Sequence, residues 1–172
     1  MTDPFPDPST GGGSTRADVF LTYLDFFRGG LVQKVESLSE TERRTSRLPS
    51  GWTPLELLKH LTYVELRWFE WGFAGQECAD PWGDDKDGRW YVAPDETLAD
   101  LVGALEKQAD YTRFLVSSTD LERRGTPGPR WDGQRPATLE RVLFHVMQEY
   151  ARHLGHLDIV VELAGGPLGE SI

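Results

Sequence analysis

The chain has 172 residues, with 18 basic against 28 acidic side chains and a formal net charge of −10. That length suits one domain able to bury its own core, and the charge excludes a general nucleic-acid binder or a protein docking on anionic membrane. A lone cysteine, Cys78, excludes an internal disulfide and a cysteine-rich zinc site, and no apolar run approaches a membrane span, so a cytoplasmic protein is expected.

Residues 1–15 are dominated by Pro, Gly, Ser, Thr and Asp, with neither the basic nor the apolar stretch of a signal peptide; they predict a disordered tail. The folded domain then spans 16–172. Val19, Phe20, Tyr23, Phe26, Phe27 and Leu31 recur at helical steps and predict a first helix over 16–37, weakened and open to bending at Gly29-Gly30. A turn follows at 48–52. Thr53-Pro54 reads as an N-cap followed by proline at the first helical position, opening a second helix to about Gly72.

Residues 75–95 read as irregular, with Asp80, Asp84, Asp85 and Asp87 among Pro81, Gly83 and Gly88, and Trp82 and Trp90 interleaved. The acidic cluster lacks the spacing and terminal Glu of a calcium loop, so a solvated loop is expected. A third helix is expected over 97–117. A basic, Pro/Gly-rich loop over 121–137 carries Arg123, Arg124, Arg130 and Arg135. A fourth helix over 138–164 stops at Gly165-Gly166-Pro167. Four amphipathic helices with few strand signals predict an all-α protein, an antiparallel four-helix bundle with long connecting loops.

The fourth helix holds three of the four histidines: His145, His153 and His156, with Glu149 between them. A four-residue step turns a helix by only about 40°, so these side chains form one stripe. Because Val142, Val146 and Val160 lie close by in angle, the stripe is expected on the core face. An ionised Glu in a dry core needs a cation, a metal or a proton, and Glu and His one turn apart commonly supply two metal ligands. His60, the remaining histidine, also faces inward; it reads either as the third ligand or as a hydrogen-bonded core histidine. Three protein ligands would leave an open coordination position. His145 and His156 read as neighbours or pocket wall, Arg152 as a partner for a cofactor carboxylate or a surface ion pair, and Trp52 as core packing or pocket wall. Cys78 has no adjacent base and reads as an inert thiol.

Trp52-Thr53-Pro54-Leu55-Glu56-Leu57-Leu58-Lys59-His60-Leu61 together with Glu149-Tyr150-Ala151-Arg152-His153-Leu154-Gly155-His156 resembles the DinB-like superfamily over about residues 16–166. More narrowly the pair resembles the actinobacterial mycothiol-dependent branch, with its mycothiol S-transferases and maleylpyruvate isomerases. The resemblance implies a four-helix bundle and a divalent metal held by His60, Glu149 and His153. Many members carry histidine where Glu149 stands; Glu there is similar to the isomerases. Imidazole and carboxylate ligands suit zinc first, with nickel, iron or manganese as alternatives; the resemblance further implies mycothiol or a similar thiol as cosubstrate, an electrophilic small molecule as partner, and a thiol S-transferase as the activity. A metal-dependent hydrolase, a non-catalytic metal- or ligand-binding module, and a homodimer stay open.

Overall fold

The computed structural model describes Pro6 and residues 15–166; all but Pro6 and Thr15 of the expected tail lies outside them. Four long helices form the frame: α1 (Arg16–Glu36), α3 (Pro54–Glu65), α4 (Leu98–Ser117) and α5 (Leu139–Leu163), with a single-turn α2 (Glu40–Arg43). A two-residue hairpin, β1 (Asp85–Lys86) with β2 (Arg89–Trp90), lies between α3 and α4. The molecule is a four-helix bundle in which α5 packs on α1 and α3, and α4 packs on α3 and α1. No helix among the described residues is long and apolar enough to cross a membrane.

Each long helix starts on a threonine. Thr15, Thr53, Thr97 and Thr138 cap it with a side-chain oxygen that accepts a backbone N–H three residues on. Asp18, Glu56 and Asp100 return the bond to the threonine backbone, closing capping boxes on α1, α3 and α4. Arg141 occupies that place in α5, so its cap is one-sided. The expected helix starts therefore stand, and Pro54 fits where its missing N–H costs nothing.

The second helix changes character rather than ending at Gly72. From Leu66 to Ala74 it continues as a π-helix, with backbone bonds reaching the fifth residue back. Gly75, at φ 67°, closes it; a Cβ there would lie 2.8 Å from Thr126. The 121–137 loop docks on this end rather than lying free. Thr126 N–H donates to the Phe73 carbonyl at 2.8 Å, and the Trp131 indole donates to the Gly72 carbonyl at 2.9 Å.

The core is mostly leucine, with Leu24, Leu31, Leu55, Leu57, Leu58, Leu61, Leu139 and Leu143 inaccessible to solvent. Inside it sits a carboxylate not anticipated from sequence. Glu65 is fully buried and accepts two bonds from Arg28 (2.8 and 2.6 Å), one from Thr112 (2.7 Å) and one from Tyr150 (2.6 Å). One side chain thus binds α1, α3, α4 and α5 together. Burial, reinforced by the Glu65 charge, raises the Tyr150 phenol well above its usual range, so Tyr150 stays a donor.

Candidate metal centre

His60, Glu149 and His153 each present a donor atom, and the three atoms lie within 4.8 Å of one another. His60 comes from the middle of α3; Glu149 and His153 are one turn apart on α5. The side chains of His60 and His153 are 14% and 12% exposed, that of Glu149 30%. The α5 stripe therefore borders the core and does not fill it, which corrects the sequence reading. The buried face of α5 runs through Val146, Tyr150, Leu154 and Leu157. His145, Glu149, His153 and His156 each stand one residue earlier, about 100° around the helix. Glu149 thus never meets the dry core; Glu65 does.

Nε2 of His153 stands 3.3 Å from one Glu149 oxygen, and Nε2 of His145 stands 3.5 Å from the other. A tetrahedral ion with bonds of about 2.1 Å sets its ligand atoms roughly 3.4 Å apart. The Glu149–His153 spacing matches that edge, while the 4.8 Å spread requires the three donors to draw in slightly around an ion. Donor chemistry fits a divalent ion such as zinc, nickel, iron or manganese: two imidazoles, one carboxylate and no thiol. Burial, then the neighbouring His60, pulls the His153 pKa down to about 4, so its ring is neutral near pH 7 and has a lone pair to offer.

His60 is oriented from behind. Its Nδ1 lies 3.0 Å from Oδ2 of Asp84, so Nε2 is the ring nitrogen left to offer a ligand bond. Asp84 is only 2% exposed and is itself gripped by Arg67, whose guanidinium donates to both of its oxygens at 2.6 and 3.2 Å. Burial pushes the Asp84 carboxyl up, but the bonds to His60 and Arg67 outweigh it and hold its pKa below the usual value. A carboxylate behind a metal-binding imidazole fixes the tautomer and increases ligand basicity. This corrects the expectation of a solvated acidic loop. Asp80 and Asp85 do behave as loop residues, accepting the backbone N–H groups of Trp82 and Gly88. Asp84 instead turns inward because Asp87-Gly88, at φ 58° and 76°, folds the segment into a tight hairpin.

That hairpin also supplies a wall. Trp90 stacks on His60 with ring centroids 4.0 Å apart, meets His153 edge-on at 5.3 Å, and is backed by Trp52 at 6.2 Å. Trp52 is half-buried against the core behind Trp90. His156 lies 5.8 Å from His153, ring to ring. His145 packs edge-on against Trp68 at 4.5 Å. Arg152 is exposed and makes no ion pair among the described residues, though its charge helps to lower the His153 pKa. Cys78 is a free thiol away from this cluster. Two grooves include neighbours of the centre, His145 in one and Trp90 in the other, and neither is lined by His60, Glu149 or His153. One of about 450 Å³ is lined by His145, Phe20, Phe144 and Gln148, and one of about 330 Å³ by Trp52, Trp90, Glu56 and Arg89.

Known proteins place this geometry in context. The fold is similar to YfiT from Bacillus subtilis, described as a probable metal-dependent hydrolase with an unusual four-helix bundle topology. The TM-score is 0.57 at 21% identity, over 96% of this chain and 94% of that one. No curated protein matches the sequence. The model of the mycothiol-S-transferase family matches residues 19–166, nearly all of the described chain. With that match over the bundle and both centre-bearing helices, the chain belongs to the mycothiol-S-transferase family.

Proposed function

We propose that the chain is a divalent-metal-dependent thiol S-transferase, joining mycothiol or a similar low-molecular-weight thiol to an electrophilic small molecule. The observation that carries this reading is the gathering of His60, Glu149 and His153 within 4.8 Å in a chain of this family. These three would hold the metal, zinc being the best fit to the donor set. When bound, the ion supplies positive charge that favours the thiolate over the thiol near neutral pH.

The chain's own residues do the rest. Asp84 and Arg67 fix His60, so the imidazole need not reorganise on binding. Glu149 carries the only negative charge among the three ligands, leaving a divalent site net positive toward an anionic sulfur. His145 sits beside Glu149 with its side chain 44% exposed, placed to take the thiol proton and pass it to water. Trp90 and Trp52 shield the His60 side from solvent.

Elemental analysis of the purified full-length protein, joined to a conjugation assay with and without mycothiol, tests the reading. About one divalent metal per chain and turnover only with the thiol are expected. Metal-dependent turnover without thiol would replace this reading with hydrolysis by activated water; YfiT is described as a probable metal-dependent hydrolase. Absence of both metal and turnover would leave a non-catalytic ligand-binding module.

A further inference from the structure

Arg130 differs from every other arginine that is not fully at the surface. Arg28 is paired with Glu65, Arg67 with Asp84, Arg113 with Asp25, and Arg43 with Glu40 and two backbone carbonyls. Arg130 is half-buried, yet among the described residues no carboxylate or carbonyl engages any of its three nitrogens, and its Nε is buried without a partner. This holds in a chain with 28 acidic residues. Its close partners among the described residues are rings. The guanidinium lies 3.9 Å from the Trp68 ring centroid and 6.0 Å from that of Trp71. Stacking satisfies the face of a guanidinium but none of its N–H groups, which lie in the plane.

The side chain is also held in place. Pro129–Trp131 forms a single 3₁₀ turn, closed by Asp132 at φ 47°, and the Trp131 indole is bonded to the Gly72 and Thr126 carbonyls at 2.9 and 3.0 Å. Gly72 leaves room for the arginine stem, since a Cβ there would come within 3.2 Å of Cγ. Burial, then the like charge of Arg67, lowers the Arg130 pKa from its usual value, so holding this cation unpaired carries a cost. A cation held in this way, whose terminal in-plane donors have no partner among the described residues, suits a planar or tetrahedral oxyanion. Trp68, on which it stacks, touches His145, which borders Glu149.

We propose that Arg130, stacked on Trp68, binds the carboxylate or phosphate group of a small molecule whose reactive end lies at the His60–Glu149–His153 centre. The second half of this statement rests on the transferase reading; the first does not. The substrate class is thereby narrowed to anions, recognised one tryptophan and one histidine away from the centre.

The test begins with binding alone. Full-length ¹⁵N-labelled protein shows arginine Nε–H resonances, and that of Arg130 is assigned by its loss in Arg130→Lys and in Arg130→Gln. Inorganic phosphate and succinate are titrated separately at constant ionic strength. The Arg130 signal should move to saturation with a dissociation constant on the order of 10 mM or tighter, while that of exposed Arg135 stays still. Trp68→Leu should weaken that binding. The stronger of the two anions identifies the group recognised. If Arg130 moves no further than Arg135 with either anion, the proposal is wrong and Arg130 is a structural clamp on Trp68. The second arm compares conjugation of an electrophile bearing a free carboxylate with conjugation of its methyl ester. Arg130→Gln should increase KM for the acid roughly tenfold or more, the worth of a charge-assisted bond, and leave the ester nearly unchanged. Equal effects on both would overturn the substrate role. Because the binding arm needs neither metal nor turnover, its result stands whatever becomes of the transferase reading.

Discussion

Two carboxylates on the bundle's inner surfaces have opposite surroundings. Glu65 is inaccessible and accepts four hydrogen bonds, two of them from a guanidinium. Glu149 is 30% exposed and stands between two imidazoles at 3.3 and 3.5 Å, with no hydrogen bond to either. Both draw on α3 and α5, and Tyr150, which serves Glu65, is the next residue after Glu149. A single residue step on α5 separates a closed polar knot from an open centre. A carboxylate whose needs are met within the chain ties helices together, and one left short of partners is available to a ligand.

Removing Glu65 should have the largest effect on stability. Glu65→Ala leaves Arg28 buried with only Asp25 at its edge, and the expected cost is roughly 3–5 kcal/mol in urea unfolding. Glu149→Ala should cost well under 1 kcal/mol in the metal-free protein, because it breaks no hydrogen bond among the described residues, yet it should abolish tight metal binding. Equal stability losses in the two variants would mean that the two sites do not differ as described.

Asp84→Asn comes next. It keeps the shape but removes the charge that orients His60 and answers Arg67. Metal affinity measured by chelator competition should fall about 10- to 100-fold. An unchanged affinity would show that His60 needs no support from behind. Tyr150→Phe, which removes one bond to a buried charge, should destabilise by about 1.5–3 kcal/mol with metal affinity unchanged.

A further effect concerns pH. His153 has a folded pKa of about 4 against 6.5 for the free side chain. The unfolded chain therefore binds its proton first, and stability falls as pH drops from about 6.5 toward 4, with no further loss from this group below that. The metal-free protein should show this slope, weakened by the partial exposure of the site, and His153→Gln should flatten it. A slope retained in full by the variant would place its origin elsewhere.

The two regions also differ in how visible they were in the sequence. His153 and Glu149 share a helix, so their spacing alone puts them on one stripe, and His60 was the one histidine left to join them. Helix starts at Thr15, Thr53 and Thr97 were equally local, each carrying its acidic residue three places on. What depended on distant packing was not visible. The core face of α5 could not be centred to better than about one residue from its valines, and that one residue decides whether Glu149 is buried. Asp84 looked like one aspartate among four, because its partners His60 and Arg67 lie 24 and 17 residues away. A local signal did exist in Asp87-Gly88, a strong hairpin dipeptide, which brings Trp90 back onto His60. Glu65 too left a trace, sharing a helical stripe with Leu58, Leu61, Thr62 and Phe69, all buried.

X-ray absorption at the metal edge of the purified protein, with and without mycothiol, reads whether the His60–Glu149–His153 site takes up a thiol sulfur. We expect a first shell of nitrogen and oxygen neighbours at about 2.0–2.2 Å, into which thiol addition brings one sulfur at about 2.3 Å, and no such change in Glu149→Ala. A four-neighbour nitrogen and oxygen shell that thiol leaves unaltered would contradict an open, thiol-accepting centre at His60, Glu149 and His153.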